Sequence, residues 1–100
     1  MVVLRKNKVV YCDIDMTLIM WNGDDTWTRN DNHINLLRQF KRQGFGLVAW
    51  SAGGYEWAQK AVEMLGLEEM FDICINKPDW FIDDKPAIDF MPEANRIYIK

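Results

Sequence analysis

Apolar residues recur along this chain at two different spacings. Residues 8–13, KVVYCD, run β-branched and aromatic without a clean polar alternation, and 45–50, FGLVAW, do the same. Runs of this kind predict strands buried on both faces, as in a parallel sheet. FDICIN (71–76), WFIDD (80–84) and RIYIK (96–100) are three further strand candidates. Between the first two strands the period changes. Ile34, Leu37 and Phe40 recur at helical spacing up to Gly44, and Thr28 and Asp31 stand in the relation of a capping box, which predicts a helix over about 30–43. Trp57, Ala58, Ala61, Val62 and Leu65 form a second apolar stripe, closed by Gly66 with Leu67 behind it. Within LIMWNGDDTW, the pair Asn22-Gly23 is the signal for a type I′ turn, so a two-stranded flap is predicted within about 17–28. Trp21 and Trp27 on that flap pack across the hairpin or cover a substrate.

Strands alternating with helices predict one α/β domain over residues 1–100, with a mainly parallel sheet of four to five strands. One connection strains this picture. Only Lys77, Pro78 and Asp79 separate FDICIN from WFIDD, whereas a parallel crossover takes about a dozen residues. FDICIN is therefore a short edge segment, or the path beyond it is irregular.

Composition narrows the class. At 49% hydrophobic and 27% charged residues the chain is globular, and a net charge of -3 argues against a nonspecific nucleic-acid binder. The N-terminal residues lack the continuous apolar segment of a secretory leader, and no apolar stretch approaches membrane-spanning length, so a cytoplasmic protein without a membrane partner is expected. Cys12 and Cys74 sit in strand-like runs without metal-ligand spacing and are read as buried, reduced thiols. His33 is read as an exposed residue of the first helical turn.

Ligands of an open parallel sheet bind beyond the carboxyl ends of its strands. Three predicted strand ends carry polar groups there: Asp13 and Asp15, then Ser51 with Gly53 and Gly54, then Asp83 and Asp84. Were the first and fourth strands neighbours, four carboxylates would converge. Two unit charges about 4 Å apart repel by roughly 4 kcal/mol at an effective dielectric of 20, so such a cluster calls for a cation. Mg²⁺ suits oxygen ligands of this type. The SAGG turn, 51–54, opens the second helix and offers backbone N–H groups and a hydroxyl to an anion. A metal beside an anion cradle is what phosphoryl transfer requires.

These segments, taken together, resemble a family. VVYCDIDMTL is similar to the first motif of the haloacid dehalogenase (HAD) superfamily, a hydrophobic strand followed by Asp-x-Asp-x-Thr. GLVAWSAGG resembles its second motif and WFIDDK its fourth, in the same order along nearly the whole chain. NKPDWFIDDK is also similar to small HAD-like proteins encoded by bacteriophages or serving capsule biosynthesis. The resemblance implies a compact Rossmann-like HAD core and a Mg²⁺-dependent phosphomonoesterase. Asp13 would be the nucleophile and Asp15 the general acid and base, with Thr17 steadying Asp15. Ser51, Ala52 and Gly53 would bind the phosphoryl group together with a lysine. Lys77 fits the family's third motif, and Lys85 and Lys60 are the alternatives. Asp13, Asp15, Asp83 and Asp84 would hold the metal.

One departure is Met16, where many relatives carry Gly, which makes the turn after the strand stiffer or differently shaped. Another is size. Asp15 and Ser51 are 35 residues apart and Ser51 and Lys77 are 25 apart, counting the residues between, which leaves no room for a cap domain. Capless relatives act on large or exposed phosphoesters, or close the site by forming homo-oligomers. A nucleotide or polynucleotide end, a sugar phosphate and a phosphoprotein all remain open as substrates. Two other classes compete with this. A receiver-like phosphoacceptor domain would need an Asp where Ser51 stands, and a catalytically silent HAD-like binding or assembly module would keep the fold without turnover. A Toprim-type nuclease would want an earlier strand-end Glu, and no Glu precedes Glu56.

Overall fold

The computed structural model describes residues 7–99. Its element order is β1 (Val9–Cys12), β2 (Ile19–Trp21), β3 (Trp27–Arg29), α1 (Asp31–Arg42), β4 (Gly46–Ser51), α2 (Tyr55–Met64), β5 (Ile73–Asn76) and a short α3 (Ala87–Phe90), followed by a 3-10 turn over Glu93–Asn95. The main sheet is parallel, in the order β1-β4-β5, and a separate antiparallel pair joins β2 to β3.

The alternation along the strands explains how the layers form. Val10 and Cys12 of β1, Leu47 and Ala49 of β4 and Cys74 of β5 belong to one apolar cluster with Ile34 and Leu37 of α1 and Ala58, Ala61 and Val62 of α2. Successive side chains of a strand point to opposite faces, so Tyr11, Val48, Trp50 and Ile73 lie on the other face of the sheet. There Tyr11 and Trp50 meet edge to face with ring centroids 4.8 Å apart.

β4 fills the central place that its composition predicts, with Leu47, Val48, Ala49 and Ser51 all buried. β1 differs from expectation. It is an edge strand, and Tyr11 is exposed because nothing pairs beyond it. The Gly46 N–H bonds Lys8 O, which directs the peptide groups of Lys8, Val10 and Cys12 to β4 and those of Val9 and Tyr11 to the open side.

α1 starts one residue later than expected and from a different cap. Asn30, not a Thr28–Asp31 box, accepts the His33 N–H. At the far end Lys41 Nζ donates to the carbonyls of Glu69 and Met70, fastening the helix to the approach to β5. α2 closes through Gly66, whose φ of 70° suits the left-handed turn.

The flap forms, with a longer turn than Asn22-Gly23 predicts. Five residues, 22–26, connect β2 to β3, because Asn22 N–H bonds Thr26 O at 3.0 Å and Asp24 takes both the N–H and the hydroxyl of Thr26. Its base is part of the core: Leu18 and Ile19 are fully buried.

The last quarter of the chain departs furthest from expectation. The sheet has three strands, not four to five, since neither 80–84 nor 96–99 pairs with a neighbour, and Lys100 lies outside the described residues. Strand preference is a preference for a partner strand and a half-buried surface; 80–84 has neither in this structure, and 96–99 lies against α1 through His33 and Asn30 instead of against a strand. Trp80 and Ile82 are 91% and 104% exposed. Among the described residues, no helix is long and apolar enough to cross a membrane.

Both cysteines are free thiols. Burial, then the neighbouring Asp13 charge, push the Cys12 thiol up to about 12 from an ordinary value of 9.0. The folded chain therefore keeps a proton that the unfolded chain releases above pH 9. Stability is fully present below that pH and falls between about pH 9 and 12, with a slope of up to roughly 1.4 kcal/mol per unit. Urea unfolding at pH 8 and pH 10 is expected to show this loss, and Cys12→Ala to reduce it.

Candidate active site

The parallel register brings three strand ends to one edge of the sheet. Cys12 lies level with Ala49 and Ser51 with Asn76, so Asp13, Ser51 and Lys77 follow their strands out at neighbouring positions. Lys77 N–H is tied to Ser51 O at 3.0 Å. The Lys77 ammonium stands 3.2 Å from Asp13 Oδ1, and Thr17 Oγ1 donates to Asp13 Oδ2 at 3.0 Å. Thr17 thus steadies Asp13 rather than Asp15, since the turn after β1 carries it back over the first acid. Among Lys77, Lys85 and Lys60, it is Lys77 that the fold brings to Asp13.

The turn itself hangs on one carbonyl. Ile14 O accepts from the N–H groups of Thr17, Leu18 and Ile19 at 3.1, 2.8 and 3.1 Å, while the Ile14 side chain is fully buried. Burying Ile14 leaves the residues on either side of it, Asp13 and Asp15, on the solvent side of the sheet edge. Met16 completes the turn at φ 61°, in the left-handed region. That geometry costs a residue with a side chain roughly 1–2 kcal/mol, against about 0.5–1 kcal/mol for the extra unfolded-state freedom of glycine. Met16→Gly is therefore expected to raise stability by about 0.5–1 kcal/mol. Equilibrium urea unfolding would read it, and a lowered midpoint would contradict it.

Asp15 is held differently. Trp21 Nε1 of the flap donates to Asp15 Oδ1 at 2.9 Å, and Trp57 Nε1 of α2 donates to Oδ2 at 3.0 Å. The two indoles are stacked, with centroids 6.4 Å apart and planes 25° from parallel. Trp21 thus stacks on Trp57, while its cross-strand partner Trp27 packs against the core.

Most of the SAGG turn is already engaged. Ser51 Oγ accepts the Gly53 N–H at 3.0 Å, Ser51 O accepts the Gly54 N–H at 3.1 Å, and Asn76 Oδ1 accepts the Tyr55 N–H. The Ser51 O–H and the Ala52 N–H have no acceptor among the described residues, and the Lys77 ammonium, paired with Asp13, stands beside them. A cavity of about 360 Å³ lies beside them, bordered by Ala52, Gly53, Gly54, Asn76 and Lys77. Asp13 lines a second, larger cavity of about 980 Å³ that Lys77 also borders and that extends along β1.

Asp83 and Asp84 are not brought to this edge. They lie in the exposed segment after β5, where Asp83 Oδ1 accepts the Lys85 N–H at 2.9 Å. Among the described residues, no three His, Cys, Asp or Glu side chains converge to hold a metal ion.

His33 also departs from expectation. It is 5% exposed, its Nδ1 lies 2.6 Å from Thr17 O, and its Nε2 accepts the Ile99 N–H at 2.7 Å. Nδ1 also lies 3.0 Å from Asn30 Nδ2. Asn30 Nδ2 donates to Ile99 O at 2.8 Å, so the pair ties the end of the described chain to the turn that carries Thr17. A lone polar residue at an N-terminal helical position gives no sign of this, because its partner comes 66 positions later.

No protein-family model, curated protein or solved structure matches the chain.

Proposed function

We propose that this protein is a small, capless, HAD-like phosphatase that hydrolyses a phosphomonoester through an aspartyl-phosphate on Asp13. The observation that carries this is the Asp13 carboxylate, held between the Lys77 ammonium and the Thr17 hydroxyl at the carboxyl edge of a parallel sheet, beside the donors of Ser51 and Ala52. An Asp13 oxygen attacks phosphorus, the ester P–O bond breaks, and the proton on Asp15 passes to the leaving oxygen. Water then attacks phosphorus, returns a proton to Asp15 and breaks the bond to Asp13. Lys77, Ser51 and the Ala52 N–H receive the phosphoryl oxygens.

Asp13 and Asp15 are hard oxygen donors of the kind Mg²⁺ takes, and that ion needs only one or two carboxylates beside water and phosphate. The Asp13 carboxylate and the Asp15 main-chain carbonyl would hold it. When bound it would offset the negative charge shared by carboxylate and phosphoryl group. Asp83 and Asp84, which the resemblance would add to this set, lie in the exposed segment after β5 and are not brought to Asp13.

A catalytically silent binding role has one observation in its favour. Both oxygens of Asp13 and both of Asp15 already have donors within the chain. Hydrolysis of an aryl phosphate by the purified protein, with Mg²⁺ and with EDTA, separates the two. Metal-dependent turnover supports the phosphatase. Its absence, alongside Mg²⁺ binding in a calorimeter, supports the silent module.

A further inference from the structure

The Asp15 carboxylate joins two parts of the fold that share no strand or helix. One oxygen belongs to Trp21 at the end of β2, the other to Trp57 in the first turns of α2, and the indoles stack on one another. A second observation concerns the turn beside Trp57. A Cβ on Gly53 would lie 3.1 Å from Trp57 Cδ1, tight enough that the indole would have to move by a few tenths of an ångström. Gly53 lacks the positive φ that would itself demand glycine, and the close approach of Trp57 is what a side chain there would meet.

We infer that Trp21 and Trp57 are positioning residues for Asp15, and that the flap is latched to α2 through this carboxylate. The kinetic part rests on the phosphatase reading of the site. Trp57 is the fixed side of the latch, wedged against Gly53. Trp21 is the releasable side, being partly exposed on a two-stranded hairpin. One indole N–H on each oxygen still leaves lone-pair sites on the Asp15 carboxyl, so a leaving-group oxygen can approach while both donors hold the group in place. Two aimed donors also keep the carboxylate from rotating toward Lys77, which leaves that ammonium to Asp13.

The latch is testable without turnover. In ¹⁵N spectra of the full chain, the five tryptophan indole N–H signals report their own partners. Asp15→Ala is expected to move the Trp21 and Trp57 signals and to leave those of Trp27, Trp50 and Trp80 in place. A Trp21 signal that stays where it was overturns the latch. Positioning is tested by leaving group. Trp21→Phe keeps the aromatic stack and removes one donor, so hydrolysis of an alkyl phosphate, which needs the acid, is expected to lose about tenfold in kcat, while an aryl phosphate loses less than about twofold. Equal losses on both substrates overturn the positioning role, because a general structural defect would not discriminate between leaving groups. Should the unaltered chain hydrolyse neither substrate, the phosphatase reading and the positioning role fall together, and the indole spectra still decide the latch.

Discussion

Asp13→Asn is expected to lower phosphatase turnover by more than about 10³-fold while leaving the fold intact. An amide is nearly the same shape as a carboxylate, but it is too weak a nucleophile to displace an ester oxygen, so the covalent route closes. The structural cost is small for a separate reason. The Asn oxygen can still accept from Thr17, and the ion pair lost is with Lys77, where both side chains are about a third exposed. A pair screened to that degree contributes no more than about 1 kcal/mol. Steady-state hydrolysis and urea unfolding on the same preparation would separate the two effects. Full turnover in the variant would exclude Asp13 as the nucleophile. A variant that loses activity only because it unfolds would show a large shift in the urea midpoint.

Ile14→Ala acts in the opposite sense, on stability first. Ile14 is fully buried in the apolar cluster beneath the turn, with Leu18 and Ile19 beside it in the chain. Removing three buried carbons leaves a cavity and costs about 3–4 kcal/mol, a large share of the roughly 5–15 kcal/mol available to a domain of this size. Ile14→Val is expected to cost only about 1 kcal/mol. Denaturant midpoints for the two variants would check the ratio, and equal, small shifts would show that the turn does not depend on this anchor. Because Ile14 is what holds its two acidic neighbours on one side, loss of activity should track the loss of packing.

The parts of the fold that could be read from sequence were those set by short-range pattern. The runs around Val10 and Val48 and the stripes of α1 and α2 formed within a residue or two of expectation, because a short continuous apolar run and a helical period are both local signals. The placement of Lys77 was open in sequence and became definite only when β5 joined β4 in parallel register. Segments 80–84 and 96–99 misled for the reason that composition records an appetite for a sheet and says nothing of whether an edge is within reach. Thr17 was assigned to the nearer acid in sequence, whereas a tight turn favours the residue four positions back. The bonds of Trp57 to Asp15 and of His33 to Ile99 left no local trace, being made across 42 and 66 positions.

The parallel order β1-β4-β5 has a consequence for the speed of folding. Each ladder joins segments with a whole helix between them, so the chain must close a long loop before any contact of the main sheet repays it. Only β2 and β3 meet through a short turn, and a hairpin of that kind closes in about 1–10 μs. The flap should therefore be among the earliest structures to appear in refolding and the sheet among the last. Through that interval β1, β4 and β5 all lack their partners and are exposed to other chains at high concentration.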